Sequence, residues 1–278
     1  MARVRDVTLR DGLQGLAVVL PTVTKVEVYR ALVSAGVEEA QVTSFVSPRR
    51  LPQLADAEIL WNTLQPLPGI KSALIANHKG YSRARAAGVD RLEMVLAVSP
   101  TYHQRNSGRP RDETWAELVR MAAEAKGDGI YLAVVLANTW QCHFEGQTPM
   151  DKLLHWVERV AGLDVPELGL ADTTGAARPK EVYHRVRAVR DAFPEFFLRV
   201  HLHEGGSGLE NARAACDAGA DALDGALRGL GGSPFAGKFT GNLDLRQLHE
   251  AGLVMLDLDG IHRAETLLQH HIEGAHSS

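Results

Sequence analysis

Cysteine is scarce in this chain, and long hydrophobic runs are missing. Only two cysteines, Cys142 and Cys216, occur among 278 residues, and they form no Cys-x-x-Cys pair. A disulfide framework and a thiolate zinc site are therefore not expected. No apolar segment reaches the roughly 18 residues of a membrane span, and the N-terminal MARVRDVTLRDG lacks the apolar stretch of a signal peptide. We expect a cytoplasmic protein without a membrane partner.

Neither sign of charge dominates the sequence. The 30 Lys and Arg residues oppose 34 Asp and Glu residues, which gives a net charge of −4, and no long run carries a single sign. This balance favours neither a nucleic acid nor a membrane surface as the partner. A small-molecule substrate is the expected partner.

Short apolar or β-branched runs alternate with helical patterns along the whole chain. In the first helical stretch, Val26, Tyr29, Leu32 and Val33 share one face at the 3.6-residue period. Parallel pairing follows from such alternation, and eight units predict an α/β fold of the closed (β/α)8 TIM-barrel type, although the pattern alone leaves a doubly wound open sheet as the alternative. The eight predicted strands are Arg3–Thr8, Val37–Phe45, Ile70–Ala76, Val89–Val98, Gly129–Leu136, Glu167–Ala171, Leu198–His203 and Asp221–Leu227.

The length fits one catalytic domain. With 45% hydrophobic residues, the 278-residue chain can build one large core of the size that a βα barrel of about 250 residues requires. We predict a single TIM-barrel domain over 1–278, in which helices from about 243 onward pack on the barrel.

Polar side chains gather where three of the predicted strands end. His201 and His203 alternate with apolar neighbours, so both imidazoles face one side of the seventh strand. The first strand runs directly into Arg10 and Asp11, and a glycine-rich loop at 229–242 follows the eighth strand. Since residues at the C-terminal ends of barrel strands line the functional face, these groups should meet at one rim. Taken singly, a His-x-His pair or an Arg-Asp-Gly turn is more often structural.

Five motifs in order give the sequence a family resemblance. They are TLRDGLQ at 8–14, TSFVSPRRLPQ at 43–53, DTTG at 172–175, HLHEGGSGLENA at 201–212 and GLGGSPFAGKFTGN at 229–242. Together they resemble 3-hydroxy-3-methylglutaryl-CoA lyase, a member of the metal-dependent TIM-barrel lyases and of the wider pyruvate carboxyltransferase-like family. The resemblance extends from Val4 to Asn242.

The resemblance implies a role for each matching residue. It makes Arg10 the group that stabilises a developing enolate, and it makes Asp172 and Ser233 catalytic as well. Gln14, Gln41, Ser44 and Ser47 become substrate-binding residues. The implied ligands of a divalent metal are Asp11, His201, His203 and Asn242. Mixed oxygen and imidazole ligands with open positions suit Mg²⁺ or Mn²⁺.

Two positions near the implied chemistry depart from the lyase pattern. Ser233 stands where the lyases carry a loop cysteine, and a hydroxyl is far less acidic than a thiol. Gln41 stands where the lyases carry an acidic residue, so the metal region loses a negative charge. These departures lead us to expect an altered substrate.

The sequence therefore predicts a divalent-metal-dependent carbon–carbon lyase. It would act by retro-Claisen or retro-aldol cleavage on a 3-hydroxy acid or a 3-hydroxyacyl-CoA, with a CoA thioester as a candidate substrate, and the resemblance suggests a homodimer. Two alternatives stay open at this point. One is a condensing enzyme that joins a 2-oxo acid to an acyl-CoA, and the other is a non-catalytic metal-binding barrel.

Overall fold

A computed structural model describes residues 1–232 and 241–274 of the chain. Eight parallel strands close into a barrel in which each strand pairs with the next along the chain, and the eighth pairs with the first. Six of them lie within the predicted segments, while the fifth and the seventh each extend one residue beyond theirs, to Ala137 and to Phe197. The closed order excludes the open doubly wound sheet. The barrel strands are β1 (Arg3–Asp6), β2 (Glu39–Ser44), β3 (Ile70–Ile75), β4 (Arg91–Ala97), β5 (Tyr131–Ala137), β6 (Glu167–Ala171), β7 (Phe197–His201) and β8 (Ala222–Gly225).

Helices fill the connections between the strands and form the outer layer. They are α1 (Thr22–Ser34), α2 (Ala57–Leu64), α3 (His78–Ala86), α4 (Pro100–Ser107), α5 (Arg111–Asp128), α6 (Met150–Ala161), α7 (Pro179–Ala192), α8 (Gly208–Asp217), α9 (Leu245–Glu250) and α10 (Leu258–Gly274). Local chemistry fixes several of their starts. Ser99 precedes α4, accepts a hydrogen bond from the main-chain N–H of Tyr102, and is followed by Pro100 at the first helical position.

The main hydrophobic core lies between the strands and the helices. On β7, Leu198 and Val200 point into this outer core, whereas Arg199 and His201 have the opposite parity and point into the barrel. The same parity sends Arg5 of β1, Glu93 of β4 and Glu167 of β6 into the barrel. The barrel interior therefore contains a group of buried charged side chains below the functional face.

The C-terminal helices close over the first βα unit. α10 packs against α1, and Thr24 Oγ1 of α1 lies 2.9 Å from His271 Nε2 of α10. The main-chain N–H of Asp257 donates to the carbonyl of Ala35 at 2.8 Å, just after α1. Within the described residues, no helix has the length and apolarity needed to cross a membrane.

Candidate active site

The C-terminal ends of β1 and β7 bring three potential metal ligands together. A carboxylate oxygen of Asp11 and one ring nitrogen each of His201 and His203 all lie within 4.8 Å of one another, and the three residues are buried. A short π-helix, Thr8–Gly12, follows β1, and the carbonyl of Val7 accepts hydrogen bonds from three of its N–H groups. This tight turn places Asp11 beside the end of β7, as the sequence predicts.

Hydrogen bonds hold both histidine rings in one tautomer. His201 Nδ1 lies 2.9 Å from Asp224 Oδ2, and His203 Nδ1 lies 2.7 Å from the main-chain carbonyl of Asp172. Because these oxygens accept, each Nδ1 carries the proton, and Nε2 of the neutral ring keeps its lone pair. Burial, reinforced by His201, lowers the pKa of His203 to about 4. His203 is therefore neutral, and its Nε2 is free to bind a cation.

Asn242 approaches the same point from the segment after β8. Its Nδ2 donates to Asp11 Oδ2 at 2.8 Å and to the carbonyl of Leu230 at 2.7 Å, so its Oδ1 is the remaining ligand atom. Gly231 permits this approach, since a Cβ there would lie 2.4 Å from Asn242 Nδ2 and the residue has a φ of +110°. A side chain at Gly231 would therefore push Asn242 away from Asp11.

The donor atoms at this point fit a hard divalent cation. Among the described residues, His203 Nε2 and Asn242 Oδ1 are both buried and without a hydrogen-bond partner. Buried polar atoms without partners are costly, and a cation would satisfy both of them. Burial by itself would raise the pKa of Asp11, but the charge of Arg10, together with the hydrogen bond from Asn242, opposes it, and the pKa lies below the ordinary range. The site thus combines one carboxylate, one amide oxygen and two imidazoles, a donor set that fits a divalent cation.

Arg10 lies between the ligand group and the wall formed by β2. Its guanidinium forms an ion pair with Asp11 and donates to Gln41 Oε1. Gln14 Nε2 donates to Asp11 Oδ1 at 2.8 Å, so it supports the same carboxylate. Gln41 Oε1 is committed to Arg10, which leaves Gln41 Nε2 buried and without a partner among the described residues. An uncommitted donor thus lies beside the arginine.

The three serines predicted for the site differ in their exposure to solvent and in whether the structure describes them. Ser44 is buried at the end of β2, and its Oγ also has no partner in the described part of the chain. Ser47 is exposed in the following loop. Ser233 lies outside the described residues, and it follows Gly232, whose N–H donates to Asp11 Oδ2 at 3.2 Å. The roles of these residues stay predictions.

Asp172 supports the site in two ways. Its main-chain carbonyl fixes His203, while its carboxylate accepts hydrogen bonds from the N–H of Ala177 at 3.0 Å and from Thr174 Oγ1 at 3.4 Å. Burial raises the pKa of this carboxyl, although these hydrogen bonds oppose the shift. The residue thus orders the loop after β6, and its catalytic role stays a prediction.

Sequence reasoning missed an ion network inside the barrel. Arg5 donates through both Nε and Nη2 to the Asp224 carboxylate, at 2.9 Å each, and through Nη1 to Glu93 at 2.6 Å. Arg199 donates to Glu167 at 2.7 Å, to Asp224 at 2.8 Å and to Glu93. We call these five residues the inner network. A signal was present, because each of them is a charged residue within a strand segment that the sequence predicts to be part of the barrel.

Comparison with known proteins identifies the family. The family model described as HMGL-like matches residues 2–268. The chain belongs to the HMGL-like family. An (R)-citramalyl-CoA lyase of Chloroflexus aurantiacus is 34% identical over 86% of this chain and 79% of its own length. A mitochondrial hydroxymethylglutaryl-CoA lyase of Mus musculus is 30% identical over 95% of this chain and 81% of its own. The predicted carbon–carbon lyase class of this HMGL-like protein is confirmed.

Solved structures agree with this family assignment. An HMG-CoA lyase from Acinetobacter baumannii, in complex with coenzyme A and 3-methylmalate, has a TM-score of 0.91 and 32% identity. That match covers 98% of this chain and 92% of the other. An HMG-CoA lyase from Brucella melitensis gives a TM-score of 0.89 and 30% identity over 98% of this chain and 99% of its own. The TIM-barrel prediction is confirmed over nearly the whole chain.

Proposed function

We propose that this HMGL-like protein cleaves a carbon–carbon bond of a 3-hydroxyacyl-CoA and that Mg²⁺ or Mn²⁺ serves as its cofactor. The ligands in this proposal are Asp11, His201, His203 and Asn242. The observation that carries it is the set of ligand atoms within 4.8 Å, together with the buried and unpartnered His203 Nε2 and Asn242 Oδ1. Similarity to lyases of citramalyl-CoA and hydroxymethylglutaryl-CoA supports a hydroxyacyl thioester as the substrate class.

The proposed chemistry divides the work among three side chains. When bound, the divalent cation would polarise the substrate hydroxyl and hold it beside a neighbouring carboxylate oxygen. Asp172 takes the hydroxyl proton. The hydroxyl oxygen then becomes a carbonyl, the bond between the carbinol carbon and the thioester α-carbon breaks, and its electron pair forms the enolate of the leaving acyl-CoA. Arg10 stabilises the enolate oxygen, and Ser233 passes a proton to the α-carbon. Ser233 recovers a proton through solvent and Asp172 releases the one it took, so both groups return to their starting states.

Gln41 gives this site a distinct recognition chemistry. A carboxylate at this position would neutralise Arg10 and could only accept hydrogen bonds. The amide instead leaves Arg10 balanced by Asp11 alone among the described residues and offers Gln41 Nε2 as a donor. We propose that Gln41 and Ser44 donate to oxygens of the acyl group. Such donors suit a substrate whose acyl group carries hydrogen-bond acceptors, and they are consistent with the altered substrate that the sequence predicts.

An activity panel tests the proposal directly. The purified protein is incubated with several 3-hydroxyacyl-CoA thioesters and the matching free hydroxy acids, after chelator treatment and after addition of Mn²⁺ or Mg²⁺. We expect cleavage of at least one thioester, loss of that activity on chelation and recovery on metal addition. Product formation only from a 2-oxo acid and an acyl-CoA would instead support the condensing enzyme. Inactivity throughout, with Mn²⁺ still bound, would support a metal-binding barrel without catalysis.

The assembly and location of the protein stay proposals. We propose a homodimer in the cytoplasm, as expected from the family resemblance and the composition. Light scattering coupled to size-exclusion chromatography tests the dimer, because a mass of one 30.2 kDa chain would contradict it.

A further inference from the structure

A cavity of about 380 Å³ lies at the end of the barrel opposite the mouth. Ile70, Arg91 and Tyr131, the first residues of β3, β4 and β5, line it together with Trp61 and Gln65 at the end of α2. Because the strands are parallel, their N-terminal ends lie away from the candidate active site. The cavity has the volume of a small-molecule site, and the proposed reaction does not use it.

Apolar groups form part of the cavity wall. Trp61 belongs to the hydrophobic core, and Tyr131 adds a second aromatic ring at the start of β5. Ile70 lies beside them and keeps 42% of its surface exposed. A ligand with an apolar body would cover Ile70 and remove this surface from water, which is favourable.

Arg91 is held in one orientation at the same cavity. Its Nε donates to Glu39 at 3.2 Å and its Nη2 donates to Glu167 at 3.0 Å. Its guanidinium carbon lies 3.7 Å from the centre of the Tyr131 ring. Its Nη1 has no hydrogen-bond partner among the described residues. A guanidinium fixed in this way offers a preorganised donor to an oxygen of a ligand.

Lys71 supplies a second cationic group to the wall of the cavity. Its Nζ donates to the carbonyls of Leu67 at 2.6 Å and of Gly69 at 2.8 Å, and no carboxylate of the described residues lies within ion-pair distance of it. Burial lowers the pKa of Lys71, and the charge of Asp90 only partly opposes this shift. An anion in the cavity would supply the missing charge partner.

The other polar groups of the wall are mainly donors. In the described part of the chain, the side-chain amide of the exposed Gln65 makes no hydrogen bond, and Trp61 Nε1 is buried without a partner. Asp90 is the one carboxylate among the described lining residues, and it is exposed. Uncommitted donors therefore outnumber acceptors, which favours a ligand that carries oxygen acceptors.

We propose that this cavity, here called the lower cavity, binds a small monocarboxylate with an apolar body. The carboxylate would lie between Arg91 Nη1 and Lys71 Nζ, where charge-assisted hydrogen bonds are strongest. The apolar body would lie against Trp61 and Ile70. The binding is non-covalent and requires neither a metal nor a thioester, so the inference is independent of the proposed function.

Titration of the full chain with defined probes tests the lower cavity. The probes are hexanoate and phenylacetate, and hexanamide and phenylacetamide are their neutral counterparts. Saturation-transfer NMR and calorimetry measure the binding. We expect both carboxylates to bind at least about 10-fold more tightly than their amides, because the amides lack the charge that pairs with Lys71 and Arg91.

A cavity-filling variant locates the binding. Ile70→Trp places a larger ring in the cavity and should weaken the binding of both carboxylates at least about 10-fold, because the ring occupies the space of the ligand body. Val119→Trp on α5 is the matched control, since Val119 is 43% exposed and lies outside the cavity lining. It should leave the affinity unchanged. Thermal unfolding of both variants verifies that each is folded.

Charge variants test the chemical class of the ligand. Lys71→Met should weaken carboxylate binding about 5-fold and leave the amides unaffected, whereas Lys71→Arg keeps the charge and should retain most of the affinity. Asp90→Asn removes a like charge and should tighten carboxylate binding about 2-fold. Lys79→Met, at an exposed lysine of α3 outside the cavity lining, is the control and should change nothing.

Three results would overturn the proposal. The first is equal binding of the carboxylates and their amides, or no detectable binding of either carboxylate. The second is unchanged affinity in Ile70→Trp, which would place the probes elsewhere on the protein. The third is weaker binding in Asp90→Asn together with a preference for a zwitterionic amino acid such as phenylalanine over phenylacetate, since Asp90 would then hold an ammonium group. None of these results bears on the cleavage reaction at the mouth.

Discussion

The inner network and the mouth of the barrel, where the candidate metal ligands lie, differ in how far their buried polar groups are paired. In the inner network, each charged group has an oppositely charged partner, as the contacts of Arg5 and Arg199 with three carboxylates show. At the mouth, His203 Nε2, Asn242 Oδ1 and Gln41 Nε2 have no partner among the described residues. The free-energy cost of taking charges out of water is offset only where the buried charges are fully paired. The charges of the inner network thus satisfy one another, whereas three buried polar atoms at the mouth are left for a ligand to satisfy.

Asp224 joins the two regions. Its carboxylate accepts hydrogen bonds from Arg5 and Arg199 of the inner network and from His201 Nδ1 of the mouth. Burial raises the pKa of Asp224, but the two arginines more than offset this and hold it well below the ordinary range. The carboxylate is therefore ionised, and it holds the His201 ring in the tautomer that a metal ligand requires.

The largest predicted effect is on metal binding and catalysis at the mouth and not on stability. His203→Ala removes an unpartnered donor atom, so we expect loss of measurable Mn²⁺ binding and at least a roughly 10³-fold fall in kcat/KM, since metal ligation supplies several kcal/mol. Calorimetric Mn²⁺ titration and the cleavage assay measure the two effects.

His143→Ala is the matched control because His143 is exposed in a loop outside the ligand group. It should change neither quantity. The assignment of the mouth is wrong if His203→Ala binds Mn²⁺ as tightly as the unaltered protein.

The inner network should respond in stability. Arg199→Met removes the common partner of Glu93, Glu167 and Asp224 and leaves buried carboxylates short of positive charge. We expect the free energy of unfolding to fall by roughly 3–5 kcal/mol, measured by urea denaturation. Arg187→Met breaks an exposed pair with Asp191 and should cost less than about 1 kcal/mol. Similar losses in the two variants would remove the distinction between buried scaffold and surface.

A smaller effect is expected where one residue serves both structure and chemistry. Asp172→Asn removes the proposed proton acceptor but keeps the main-chain carbonyl that fixes His203. We expect kcat to fall about 10²-fold, in the range for general base removal, while Mn²⁺ affinity stays within about 3-fold. Asp151→Asn, at the exposed start of α6, serves as the control. Joint loss of Mn²⁺ affinity and kcat would assign Asp172 a structural role instead.

The sequence predicted the strands and the barrel topology better than the contacts between charged side chains inside the barrel. Strand positions follow from short apolar runs between helical patterns, and barrel topology then puts Asp11, His201 and His203 at one rim. The pairing of Arg5 with Asp224 spans 219 positions in the chain and depends on barrel closure and register, which no local pattern encodes. The Arg10 contact with Gln41 depends in addition on the π-helix after β1. Charged residues inside the predicted strand segments were the available signal.

Asp6 lies between the two regions and gives the smallest predicted effect. It is fully buried at the end of β1, and it accepts hydrogen bonds from the N–H of Thr8 at 3.0 Å and from Thr8 Oγ1 at 2.6 Å. Among the described residues, no cation lies within ion-pair distance of it. Burial is the main cause that raises its pKa from 3.8 to about 7. Asp6 is thus hydrogen-bonded, as the residues of the inner network are. Unlike them, it has no oppositely charged partner among the described residues.

This raised pKa predicts a pH-dependent stability with a definite sign. Between pH 3.8 and about 7 the folded protein keeps the Asp6 proton that the unfolded chain has lost. Stability therefore falls as pH rises through this window. In Asp6→Asn this contribution is absent, so the Tm should fall less between about pH 5 and pH 8 than in the unaltered protein. The exposed Asp217→Asn should follow the unaltered protein. Parallel Tm curves for Asp6→Asn and the unaltered protein would mean that Asp6 is ionised throughout this pH range. A buried charge without an oppositely charged partner would then lie in the scaffold, and the contrast with the mouth would be lost.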